Sequence, residues 1–172
     1  ACIIKHTNPC GTALGSSIVE AYERALAADP VSAFGGIIGL NQEVDSKTAE
    51  KIIETFMEAV VAPEFSNKAL EILSVKKNLR LVEVGYSKPA KDYWVEKVSG
   101  GFLVQERDEM QLTKDNLQVV TEKSPSDKEM DELLFAWKVV KHVKSNAIVV
   151  SNNLQTLGVG AGQMNRVGAA EI

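Results

Sequence analysis

The chain has 172 residues, 45% of them hydrophobic and 24% charged, the size and balance of one ordinary globular domain able to bury roughly 70% of its unfolded surface. A net charge of −4 with no basic block argues against a nucleic-acid surface; no apolar run is long enough to cross a membrane, and no basic stretch followed by an apolar one marks a signal peptide. Two cysteines, Cys2 and Cys10, make no disulfide scaffold and suit a reduced, cytoplasmic setting.

Ile3-Ile4 reads as the end of a buried strand, and Asn8-Pro9 with Gly11 predicts a loop over residues 6–15. Ser17-Ile18-Val19-Glu20 spells a capping box that opens a helix to about Ala28, stopped by Asp29-Pro30. After the Phe34-Gly35-Gly36 loop, Ile37-Ile38-Gly39-Leu40 reads as a buried strand. Asp45 or Ser46 caps a second helix expected to run to about Glu58, with Ile52, Ile53, Phe56 and Met57 on one face. Val60-Val61-Ala62 predicts a short strand stopped by Pro63, Ser66 caps a helix through Leu73, and Leu79 to Val84 reads as another strand.

Residues 93–122 change character, with short strands expected at 93–98, 102–105 and 117–120 and a turn at Gly100-Gly101. Tyr93-Trp94 is expected to pack, and 85–123 reads as an excursion joining two α/β halves. Ser126-Asp127-Lys128-Glu129 is a second capping box, opening a long helix with Met130, Leu133, Leu134, Trp137, Val140 and Val143 toward the core. Ala147 to Val150 reads as a strand, Asn152-Asn153 as a turn into Thr156–Gly160, and Ala161-Gly162-Gln163 as the start of a further helix. Strands alternating with helices predict a layered α/β domain. The start at Ala1-Cys2-Ile3-Ile4 reads as the inside of a strand and Arg166 to Ile172 as a helix cut short, so a piece of a longer enzyme is expected.

Lys5-His6 stands at a strand end, where α/β folds place chemistry. Lysine brings positive charge to a developing oxyanion, and histidine exchanges protons near neutral pH. Asn146 offers both donor and acceptor to a ligand, or equally a cap to the helix before it. Arg166 has the chemistry for a phosphate and follows Gly158-x-Gly160-x-Gly162, which is not the GxGxxG spacing of a dinucleotide fold. His142, within the predicted long helix, reads as structural.

Four segments in order, Ile3-Ile4-Lys5-His6-Thr7-Asn8-Pro9-Cys10-Gly11, Asp29 to Gly36, Lys141 to Ala147 and Gly158 to Arg166, resemble the transformylase part of the bifunctional purine-biosynthesis family. That family joins 5-aminoimidazole-4-carboxamide ribonucleotide (AICAR) formyltransferase to an IMP cyclohydrolase. The resemblance implies a partial transformylase domain over 1–172 in a cytidine-deaminase-like fold that occurs twice, with the start of a second half. The cyclohydrolase domain, the family's upstream Arg-containing motif and its downstream Ser-Asp-Ala-Phe-Phe-Pro-Phe-like segment are absent. It implies formyl transfer from 10-formyltetrahydrofolate to AICAR, with Lys5 and His6 catalytic. Asn146 would bind the carboxamide, Arg166 the nucleotide, and Val167 would lie near the folate. Phe34 would line the folate site and Gly35 approach the nucleotide, unless the pair is only a buried Phe beside a turn. Glu58 would bind the nucleotide, or be only a charged helix end. The resemblance also implies a homodimer and a monovalent cation near the helix before Asn146. Zinc is not expected, since Pro9-Cys10-Gly11-Thr12 lacks the second cysteine of a deaminase and no His-x-Glu occurs. A reading of a different class is a noncatalytic nucleotide-binding or dimerisation module.

Overall fold

A computed structural model describes residues 1–86 and 93–172; residues 87–92, part of the expected excursion, lie outside the described residues. The chain divides into two compact units, Ala1–Gly85 with Pro125–Ile172, and Tyr86–Ser124.

The first unit is built on a mixed five-stranded sheet in the order β2-β1-β3-β4-β5. Strand β1 (Cys2–Lys5) pairs antiparallel with β2 (Asn8–Thr12) and with β3 (Ile37–Gly39), while β3, β4 (Ala59–Ala62) and β5 (Arg80–Glu83) run parallel. The layered α/β expectation therefore holds.

The expected loop over 6–15 is instead a tight hairpin. His6 and Thr7 take left-handed conformations, φ 51° and 66°, as a two-residue turn demands, and Lys5 pairs with Asn8. Pro9 is tolerated because β2 ends this sheet, where a missing N–H costs no ladder bond. Gly11 is needed for close approach: a Cβ there would overlap the Ala25 carbonyl oxygen of the helix packed above it.

That helix, α1 (Ile18–Ala28), starts with Ser17 Oγ accepting from Glu20 N–H. The Glu20 carboxylate reaches back one residue further than a capping box requires, accepting from Ser16 N–H at 2.7 Å and from the Ser16 hydroxyl. Asp29 ends α1 and caps the short α2 (Pro30–Ala33), accepting from Ser32 N–H at 2.9 Å. Helix α3 (Ser46–Ile52) is capped by Asp45 and stops well short of Glu58. Its expected apolar face breaks up because Met57 enters the core while Phe56 leaves the helix to serve the Phe34 loop. Helix α4 (Asn67–Leu73) is capped by Ser66 as its sequence predicts. Ile3, Tyr22, Ile38, Val44, Ile52, Val60 and Leu73 form the centre of the buried core.

Helix α5 (Asp127–Val140) opens on a complete capping box between Ser126 and Glu129. Its inward arc is Phe135 and Val139, with Val143 beyond its end, whereas Leu133 and Trp137 are exposed, contrary to expectation. Apolar residues occupy most of this helix's circumference, so periodicity could not choose the buried arc. A hairpin of β8 (Ile148–Asn152) and β9 (Gln155–Gly160) follows, turning at Asn153-Leu154. It meets β2 through the Ala13–Gln155 bridge and a 3.0 Å bond from Thr12 N–H to the buried Thr156 hydroxyl. Helix α6 (Arg166–Glu171) starts later than Ala161, because Gly162 is left-handed (φ 65°) and Asn165 supplies the cap.

In the second unit β6 (Tyr93–Val98) and β7 (Gly101–Glu106) pair antiparallel around Ser99-Gly100. Every residue of both strands is exposed, Tyr93 and Trp94 included, so the pair enters no buried core among the described residues; the Arg107 guanidinium lies over the Trp94 ring, 6.0 Å from its centroid. Leu117–Val120, expected as a strand, pairs with nothing among the described residues.

Candidate active site

The β1–β2 tip presents Lys5, the last residue of β1, and His6, the first of the turn. The Lys5 ammonium donates to the Phe34 carbonyl oxygen at 2.7 Å, spending one of its three hydrogens and pointing the charge at the Phe34-Gly35 loop. The His6 carbonyl accepts from the Thr7 hydroxyl at 2.6 Å and from Asn8 Nδ2 at 3.4 Å, which holds the turn while its imidazole stands exposed.

Phe34 ends α2 and is exposed, its ring tilted against Phe56 with centroids 5.3 Å apart. It is therefore not a buried Phe beside a turn. Gly35, at φ 72°, adopts a conformation that a side chain would resist, and its N–H donates to the Phe56 carbonyl at 2.8 Å. Glu58 N–H donates to Gly36 O at 2.9 Å, and its carboxylate pairs with Arg80 at 2.9 Å on the surface. Glu58 sits between α3 and β4, so the charged-helix-end reading fails. Lys5, Phe34, Gly35 and Glu58 thus belong to one connected group. Phe56 and Arg80 complete it without having signalled themselves, since one lay in a presumed helical face and the other in an ordinary strand.

The second group lies on the two segments flanking β8 and β9. Helix α5 is closed by Lys141, so Asn146, five residues on, is not its cap. Asn146 N–H and Nδ2 both donate to Gln163 O at 3.0 Å, and Gln163 N–H returns a bond to Asn146 O at 3.2 Å. Among the described residues Asn146 Oδ1 has no protein partner and remains able to accept from a ligand. Arg166 is the first residue of α6, exposed, and its guanidinium has no protein partner among the described residues; Val167 beside it is also exposed. Gly160 lets α6 lie directly on β9, because a Cβ there would overlap the Ala169 carbonyl.

Asn8 joins the two groups: its Oδ1 accepts from Lys144 N–H at 3.1 Å across 136 residues of sequence. Among the described residues no direct hydrogen bond links the side chains of Lys5, His6, Asn146 and Arg166 to one another. A largely apolar groove of about 1020 Å³ runs between α5 and the β1–β2 hairpin, lined by Ile4, Thr7, Pro9, Leu134, Val139 and His142. His142 is exposed at its rim rather than packed in a helix interior. Burial, with the nearby Asp29 charge, pushes the Cys10 thiol above its ordinary range, so this residue of the hairpin is a poor nucleophile at neutral pH. Among the described residues no three His, Cys, Asp or Glu side chains stand close enough to hold a metal ion, and no helix is long and apolar enough to cross a membrane.

A family model described as AICARFT/IMPCHase bienzyme matches residues 1–172. The chain belongs to the AICARFT/IMPCHase bienzyme family. Relatives named bifunctional purine biosynthesis protein PurH agree. That of Desulfitobacterium hafniense (strain DSM 10664 / DCB-2) is 59% identical over 172 residues, covering 99% of this chain and 33% of the relative. Those of Nostoc punctiforme and Thermoanaerobacter sp. (strain X514) are 56% and 54% identical, covering 100% and 99% of this chain and 34% of each relative. The chain thus spans about a third of the length of the curated bienzyme relatives it matches.

Proposed function

We propose that these residues carry the formyl-transfer site of the bienzyme, moving a formyl group from 10-formyltetrahydrofolate to the 5-amino group of AICAR. The observation that carries the reading is the Lys5–Phe34 hydrogen bond, which ties the cation of the Lys5-His6 pair to the Phe34-Gly35 loop. The amine attacks the formyl carbon, forming a C–N bond, and His6 accepts the proton it sheds. Lys5 keeps two hydrogens to meet the developing oxyanion or to protonate the folate nitrogen as its bond to the formyl carbon breaks. The amine is a weak nucleophile, its lone pair delocalised into the imidazole carboxamide, so orientation carries much of the rate.

In this reading Asn146 Oδ1 accepts from the substrate carboxamide and the Arg166 guanidinium binds its phosphate. The Phe34 face and Val167 line the folate side, Gly35 brings backbone to the nucleotide, and Glu58 adds a polar contact steered by Arg80. The mixed sheet with helices packed on it agrees with a cytidine-deaminase-like fold. A homodimer and a cytoplasmic setting belong to the same proposal, as does a monovalent cation near the end of α5, where the helix dipole presents partial negative charge.

The test is a chimera in which these 172 residues replace the matching region of the Desulfitobacterium hafniense relative, assayed for formyl transfer. Turnover that Lys5→Ala and His6→Ala each lower at least about 100-fold, with folding retained, supports the reading. Nucleotide binding without transfer would favour the noncatalytic module instead.

A further inference from the structure

We propose that Asn8 is a positioning residue whose carboxamide sets the Lys5-His6 turn against the loops that bear Asn146 and Arg166. The inference rests on the formyl-transfer reading of those residues and adds the part that holds them in register.

Both ends of the Asn8 side chain are engaged. Nδ2 donates to the His6 carbonyl at 3.4 Å, inside the hairpin, and Oδ1 accepts from Lys144 N–H at 3.1 Å, outside it. The Lys144 peptide is used on its other side as well, its carbonyl accepting from Gly162 N–H at 2.8 Å. Two residues beyond Lys144 is Asn146, and one beyond Gly162 is Gln163; those two exchange backbone bonds. A continuous run of hydrogen bonds therefore passes from His6 through Asn8 and Lys144 to the Asn146–Gln163 pair, just ahead of the Asn165 cap that starts α6 at Arg166.

The chemistry of the bridge selects an amide. One end must give a hydrogen to a carbonyl and the other must take one from an N–H, which a primary amide does and a carboxylate does not. An aspartate would keep the bond to Lys144 and set its charge against the His6 carbonyl. The turn also needs holding, because His6 and Thr7 both occupy left-handed conformations that non-glycine residues disfavour. A reaction governed by orientation is sensitive to such a link, since a displacement of about 1 Å can cost on the order of 100-fold in rate.

The experiment uses the chimera with Asn8→Ala and Asn8→Asp, each alone and combined with His6→Ala. The clamp predicts a fall in kcat of about 10- to 100-fold for both single variants, with AICAR and folate KM changed less than about threefold and Tm nearly unchanged. In the His6→Ala background Asn8→Ala should add less than about threefold, because its effect runs through the imidazole. Amide exchange at Lys144 should speed up at least about tenfold in Asn8→Ala, and the His6 imidazole resonances should shift in both single variants. An unchanged kcat, an equal loss with and without His6, or a KM and Tm effect without a kcat effect overturns the proposal. Should the parent chimera transfer no formyl group, the formyl-transfer reading falls, and exchange and resonance decide the clamp: both changes uphold it, and unchanged Lys144 protection or an unmoved His6 ends it.

Discussion

The β1–β2 hairpin turns through His6 and Thr7, at φ 51° and 66°, whereas the β6–β7 hairpin turns at Ser99-Gly100 with Gly100 at φ 82°. The second uses the residue that adopts this conformation without a steric penalty, and the first does not. Their surroundings differ in the same sense. β1 is paired on both sides, α1 presses on Gly11, and Lys5 and Asn8 are bonded to segments remote in sequence. All residues of β6 and β7 are exposed, and a Cβ at Gly101 would meet nothing within 4 Å. Asn153 and Leu154 of the β8–β9 turn, at φ 59° and 57°, are likewise left-handed and bonded to Leu14, Arg24 and Glu132, so unfavourable backbone is found where surrounding contacts over-determine it.

The largest test of that contrast is catalytic. Lys5→Ala and His6→Ala in the chimera should each lower kcat by about 100- to 10,000-fold with circular dichroism unchanged. Retention of near-parental turnover in either variant would remove that residue from the mechanism.

Next in size is packing. Gly11→Ala should destabilise by about 3 kcal/mol in denaturant melts, since its Cβ overlaps backbone that cannot move without displacing α1. Gly101→Ala should stay within about 0.5 kcal/mol. Similar values for the two would mean that the first hairpin is no more tightly held than the second.

The core beneath the first hairpin makes a pH prediction. Tyr22 is fully buried and, among the described residues, its hydroxyl has no partner in good hydrogen-bond geometry; burial pushes its pKa up to about 12, with the Thr55 side chain acting weakly in the opposite direction. Between the ordinary value of 10.0 and about 12 the unfolded chain loses this proton and the folded chain keeps it. Stability should therefore be intact below pH 10 and fall by roughly 2–3 kcal/mol as pH rises through that window. Tyr22→Phe should flatten this alkaline limb and cost little at neutral pH, because no well-formed bond is lost. An alkaline limb identical in the two proteins would assign the loss to other groups.

The smallest effect has opposite signs in the two turns. Thr7→Gly should stabilise by about 0.5–1 kcal/mol by relieving the left-handed threonine, while Gly100→Ala should destabilise by about 1 kcal/mol. Thermal melts that move both the same way would show that the two turns are not held differently.

Helix starts are legible in the sequence alone. Ser17, Asp45, Ser66 and Ser126 each cap the helix that their sequence announces, because an N-cap is a local bond between a side chain and an N–H three residues on. Helix ends and strand partners are less so. Asn8-Pro9-Cys10-Gly11 reads as a loop until β1 lies beside it and leaves Pro9 on an outer strand. The helical spacing of Ile52, Ile53, Phe56 and Met57 gives no sign that Phe56 is drawn off to Phe34.

The same division runs through the candidate site. By itself the amino-acid sequence determined the residue types: an ammonium and an imidazole at a strand end, an amide after a long helix, a guanidinium after a glycine series, and the family they resemble. Only the tertiary structure decided that the ammonium bonds the Phe34 carbonyl, that Glu58 answers to Arg80, and that Asn8 spans 136 residues to the segment before Asn146. Side-chain chemistry is a property of each residue and travels with the sequence. Hydrogen bonds between remote segments exist only after sheet pairing and core burial have brought those segments together.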